Sequence, residues 1–191
     1  PDVSQFTFDN LIFTNCKADS FGGAIAAGGY SVTGTIQSCQ FDSCYVKNTS
    51  STSYHGTGGA ICDFYYTQSD GELIVISSTF KDCFAPKYGG GIYSHRASND
   101  GDSIISTTFS HCYTTVDNGG AIYTVDKSYI YDSCNFIGNT SAKNGGAIYL
   151  HDIYVSDADS SYIKNCTFKN NEATESGGAI YIESGPLDIC L

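Results

Sequence analysis

Apolar residues in this chain fall in short alternating runs. Ile36, Cys39 and Phe41 alternate with polar neighbours, as do Ile163, Cys166 and Phe168, and the pairs Ile148 and Leu150, or Ile180 and Ile182, share a face at strand spacing. The pattern predicts short β-strands. Each set of strands is tied to two motifs that return together. Gly-Gly-Ala-Ile occupies 22–25, 58–61, 119–122, 145–148 and 177–180, and Gly89, Gly90, Gly91 and Ile92 form a sixth, altered copy. Upstream of each stands a Phe-x-x-Cys or Phe-x-x-Asn unit, led by Phe13, Phe41, Phe80, Phe109, Phe136 and Phe168.

The separation from motif Phe to motif Ile is 12, 20, 12, 13, 12 and 12 residues, so the unit is nearly constant apart from one polar insertion around 48–55. Variation otherwise collects between each Ile and the next Phe, where loops bulge outward. Paired glycines mark a turn, and Asn or Cys three after Phe marks a second corner. Two or three short strands per repeat of roughly 30 residues, with corners between them, describe a parallel β-helix. The whole chain, 1–191, reads as one all-β solenoid of about six coils. Parallel crossovers make it right-handed. Helical solenoids are excluded by the alternation and the glycine density.

The double motif resembles the repeat of the chlamydial polymorphic membrane proteins, a family of surface proteins. Four of the six Phe-x-x-Asn units carry Cys in place of Asn. The resemblance implies a β-helical surface protein and, in the bacterial family, an adhesive passenger carried by a transporter.

Composition narrows the function. With 20 Asp and Glu against 9 Lys and Arg, the net charge is -11, which disfavours nucleic acid as a partner. Arg96 is the single arginine, so no multi-arginine clamp for phosphate or polyuronate can form. No apolar run is long enough to span a membrane, so none of this segment is expected to insert. The chain begins at Pro1 and contains no Met, which suggests a piece of something longer. Nine cysteines and the Asn-x-Ser/Thr sequons at Asn48, Asn139 and Asn165 suggest an extracellular or cell-surface glycoprotein.

In a coil stack, equivalent residues form columns about 4.8 Å apart, within reach of a disulfide. Cys16 with Cys44, Cys83 with Cys112, and Cys134 with Cys166 are therefore expected bridges, with buried thiols as the alternative. No zinc spacing is present, and Asp152, Asp157 and Asp159 lack the repeat of a calcium site, so no metal or cofactor is expected. His55, His95, His111 and His151 lie in no nucleophile motif, and Asp42 and Asp132 lack matching carboxylates in neighbouring coils. An enzyme is not expected, although a polysaccharide lyase or hydrolase is the catalytic alternative.

Tyr93, Tyr123, Tyr149 and Tyr181 directly follow the motif Ile in four successive coils. Alternation turns them outward, as a ladder that either stabilises the sheet or offers a flat platform for glycan or protein. Ser77, Thr79, Ser106 and Thr108 form a smaller polar strip. The expected role is a structural element of a filament, coat or appendage, with an adhesin as the alternative. Residues 187–191 align with 163–167, so the chain stops within a strand, and its expected partners are copies of itself or adjoining coils, end to end.

Overall fold

The computed structural model describes residues 4–28, 32–49, 55–64, 71–95, 101–125, 128–151 and 161–183. The described residues form twenty-four short strands and no helix, arranged as four six-stranded parallel sheets. The first rung contains β1 (Ser4–Asp9), β2 (Ile12–Thr14), β3 (Lys17–Ala18) and β4 (Ile25–Gly28), and these begin sheets that we term A, B, C and D. Five further rungs stack on it as a β-solenoid, so five steps separate the first from the last.

The register confirms the repeat. Phe13, Phe41, Phe80, Phe109, Phe136 and Phe168 face one another in sheet B. The six motif isoleucines do the same in sheet D. Neighbouring rings of the Phe column lie 4.6 to 5.2 Å apart and within 9° of parallel. A third column, Phe8, Ile36, Val75, Ile104, Tyr131 and Ile163, points inward from sheet A to meet them.

Each rung contains four strands where the spacing suggested two or three, because the chain bends twice close to each Phe. Among the described residues, all eleven non-glycine residues with positive φ, between 50° and 57°, fall in two columns. Asn10, Ser38, Ser77, Ser106, Ser133 and Asn165 separate sheet A from sheet B; Asn15, Ser43, Asp82, His111 and Asn170, with Gly138, separate B from C. Short polar side chains tolerate this left-handed region better than branched or bulky ones. The second bend is thus two residues after Phe, one earlier than expected.

The residue after each bend creates a hydrogen-bonding problem. The bend residue keeps its ladder bond, as from Ser38 N–H to the Ile76 carbonyl at 3.0 Å, but the next N–H turns into the core. A side chain of the following rung accepts it. In the first corner Cys39 N–H donates to Ser78 Oγ at 3.1 Å, Ser78 N–H to Thr107 Oγ1 at 3.3 Å, and Cys134 N–H to Cys166 Sγ at 3.4 Å. In the second, Cys112 N–H and Asn139 N–H donate to Asn139 Oδ1 and Asn171 Oδ1, each at 3.0 Å.

Asn and Cys are interchangeable there for a physical reason. Asn139 Nδ2 and Asn171 Nδ2 donate back to the carbonyls of Phe109 and Phe136 at 3.1 and 2.9 Å. The thiols of Cys44, Cys83 and Cys112 aim at the same atom in their own previous rungs, the carbonyls of Phe13, Phe41 and Phe80, at 3.5 to 3.7 Å. A thiol both accepts and donates, weakly, so it completes the same circuit.

The glycine pair closes the rung. Gly89 has φ +61°, and a Cβ there would lie 2.0 Å from the Ile92 carbonyl oxygen. At Gly90 the obstacle is the next rung, whose Gly120 carbonyl oxygen would sit 2.3 Å from such a Cβ. Conformation dictates the first glycine and close backbone approach the second.

Removing one corner acceptor tests this account. Asn139→Ala should cost about 1–3 kcal/mol by leaving the Cys112 N–H unpaired in the core, and Asn139→Cys should cost less. Denaturant midpoints measure both; equal losses would contradict the shared circuit.

Candidate functional site

The eight described cysteines are free thiols. Cys16, Cys44, Cys83 and Cys112 follow one another in the B–C corner, while Cys134 and Cys166 are neighbours in the A–B corner. The expected bridges between Cys16 and Cys44, Cys83 and Cys112, and Cys134 and Cys166 are not formed in this structure, where each of these sulfurs points at a backbone carbonyl. Hydrogen bonding to Cys83, then burial, pushes the Cys44 thiol up, whereas the hydrogen bond from Cys134 draws Cys166 down. Cys62 stands apart on the outer face of sheet D between Ala26 and Tyr93, and burial pushes it up to about 12.

The tyrosine ladder is present but is not a platform. Tyr93, Tyr123 and Tyr149 project from the outer face of sheet D, yet they are only 1%, 6% and 4% exposed, and Tyr181 is half-buried. They form a second apolar cluster, packed against Phe21, Phe64 and Tyr88. Phe21 pairs with Thr57 and Thr57 with Tyr88 along the connection from sheet C to sheet D, and the Tyr88 ring lies 4.5 Å from that of Tyr123. Stacking uses up the ring faces as well: Tyr123 and Tyr149 lie 4.8 Å apart and 4° from parallel. The ladder is part of the buried packing of this face.

The sequons divide in the same way. Asn139 is fully buried and its amide serves the corner, so it is not available as a glycan acceptor in the folded chain. Asn165 is exposed but sits on a left-handed bend and not within a strand, and its Nδ2 donates to Asp132 Oδ1 at 3.0 Å. That bond, with those from Ser133 and Lys164, holds the Asp132 carboxyl below its ordinary range. Asn48 is half-buried, its N–H bonded to the Asp19 carbonyl at 2.9 Å. Ser77 and Ser106 are bend residues, which leaves only Thr79 and Thr108 of that strip on a sheet face.

Arg96, Asp152, Asp157, Asp159 and residues 187–191 lie outside the described residues. Among the described residues no group of three or more His, Cys, Asp or Glu is placed to hold a metal ion, and no helix is long and apolar enough to cross a membrane.

An exposed aromatic strip does exist, on sheet C. Its outward column reads Lys17, Tyr45, Phe84, Tyr113, Thr140 and Glu172. Phe84 and Tyr113 stack with centroids 4.7 Å apart, and Tyr113 is 41% exposed. The bend residues Asn15, Ser43 and Asp82 border these rings, and together the six line a groove of about 460 Å³. Sequence reasoning passed over it because the aromatic position, four after the motif Phe, is filled by rings in only three of six coils. The adjacency of rings to the bend column was readable only once the bend had been placed.

Comparison with known proteins agrees with the repeat. The Chlamydia polymorphic membrane protein repeat matches residues 133–151 and 165–183. A probable outer membrane protein, pmp6, of Chlamydia pneumoniae is 34% identical over 102 residues, covering 49% of this chain and 8% of that protein. The chain thus spans a small fraction of the relative it matches. No solved structure matches it.

The buried phenols predict alkaline sensitivity. Burial raises Tyr123, Tyr129, Tyr131 and Tyr149 above the ordinary phenol value. The folded state then retains protons that the unfolded chain releases, so stability falls as pH rises beyond about 10. Denaturant midpoints should drop across that range, with phenolate absorbance appearing together with unfolding. Full ionisation with the fold intact would contradict the burial.

Proposed function

From a chain that carries polymorphic membrane protein repeats, we propose the role of a cell-surface rod segment, a structural element of a longer protein or assembly. The repeat match and the outer membrane relative support the location. The rod role rests on the stack itself, in which six rungs lie in register in each of four parallel sheets and each rung is hydrogen-bonded to the next. A stack in register extends by adding rungs, whether from further coils of one chain or from a second copy. The role is mechanical and not catalytic, and it requires no cofactor.

A second role, holding a ligand on the flank as an adhesin does, is favoured by the groove on sheet C.

Sedimentation tests the end-to-end reading. The 191-residue chain should associate at micromolar concentration. A monodisperse monomer would count against it.

Surface residence also predicts the thiol chemistry. With glutathione disulfide as oxidant, each bridge formed reduces one glutathione disulfide to two glutathione thiols. Cys16 with Cys44, Cys83 with Cys112, and Cys134 with Cys166 should link, while Cys39 and Cys62, which have no cysteine at the equivalent place in an adjacent rung, stay alkylatable. Peptide mapping that finds all six as thiols after such treatment would refute the pairing.

A further inference from the structure

We infer that the groove on sheet C is a binding site for a neutral, linear saccharide running along the rod; this inference rests on the adhesive reading above. Its lining spans four rungs: Asn15 in the first, Ser43 and Tyr45 in the second, Asp82 and Phe84 in the third, and Tyr113 in the fourth. At about 4.8 Å per rung the site follows the axis for about 14 Å. A periodic wall of this kind suits a ligand that is itself a repeating chain, and the rung spacing is close to the length of one pyranose unit.

The chemistry of the two walls selects the class. One wall is aromatic. The Phe84 ring covers one side of Tyr113, but the rung beyond Tyr113 places only Thr140 beside it, so a ring face remains open to the C–H surface of a sugar. The other wall carries an amide, a hydroxyl and a carboxylate, the groups that pair with ring hydroxyls. They are held in place because each sits on a left-handed bend, with φ of 54°, 54° and 52° at Asn15, Ser43 and Asp82.

Two other ligand classes fit less well. A peptide recognised by strand addition needs a free sheet edge, and sheet C is paired rung to rung along this face, so only side chains are on offer. An anionic polymer would meet Asp82 and a chain of net charge -11. Lys81 Nζ, 3.5 Å from Asp82 Oδ2 and exposed like it, moderates the local charge without making the groove basic.

Calorimetric titration of the 191-residue chain with cellohexaose, chitohexaose and maltohexaose tests the inference, with hyaluronan as the charged control. At least one neutral hexasaccharide should bind and hyaluronan should not. Tyr113→Ala should weaken binding at least tenfold and Asp82→Asn several-fold, whereas Thr79→Ala, on the outer face of sheet B, should leave it unchanged. Asp82→Asn preserves the bend, so it remains informative if Tyr113→Ala does not fold. The inference is overturned if no neutral hexasaccharide binds, or if both groove variants bind like the parent. It is equally overturned if Tyr113→Ala abolishes self-association, which would make the groove a copy-to-copy interface. Adhesion of the rod to cells without saccharide binding would sink this inference alone, and absence of adhesion would remove the adhesive reading as well.

Discussion

The structure depends on how it satisfies the backbone N–H that follows each left-handed bend. A sheet that turns sharply within three residues loses its ladder at the turn, and a buried donor left unpaired costs as much as a lost hydrogen bond. In this chain the next rung supplies the missing acceptor from a side chain, Ser78 for Cys39 and Asn139 for Cys112. Every rung therefore completes the one before it. The interaction explains why the corner columns hold mainly Ser, Thr, Cys and Asn, small groups that accept a hydrogen bond and also donate one.

The remaining columns follow from that stacking. Once corners are in register, the Phe rings must lie one above another, and they do so nearly parallel. The second glycine of the pair must be bare in the first five rungs, because the next rung's carbonyl approaches it. Inward positions are thereby constrained by neighbours on both sides. Outward positions on sheets B and C carry no such obligation, and there the residue type changes freely from rung to rung, from Lys17 through Tyr113 to Glu172. A rod of this construction separates support from recognition: one set of residues repeats, and another varies.

The thiol columns show the same logic. Sulfur occupies corner positions because it completes the hydrogen-bonding circuit, so the thiol state already has a structural use. Proximity of equivalent cysteines is a by-product of the stacking and is what makes oxidation between rungs geometrically accessible.

Fold, repeat number and the inward identity of the Phe and Ile columns were legible in the sequence, since hydrophobic alternation and a fixed motif spacing depend only on local backbone period and on repetition. Four strands per coil in place of two or three were not, because Ser38 or His111 gives no local signal of positive φ; the bend is imposed by the stack. The sequence likewise established that Tyr93, Tyr123 and Tyr149 stack in register on an outer face. Only the tertiary structure decided that this face is covered, by Phe21 and Tyr88 arriving on the connections from sheet C to sheet D in the first and third rungs, and that Tyr45, Phe84 and Tyr113 line an open groove. Side-chain direction is a property of the strand, but exposure depends on what else the chain lays over it.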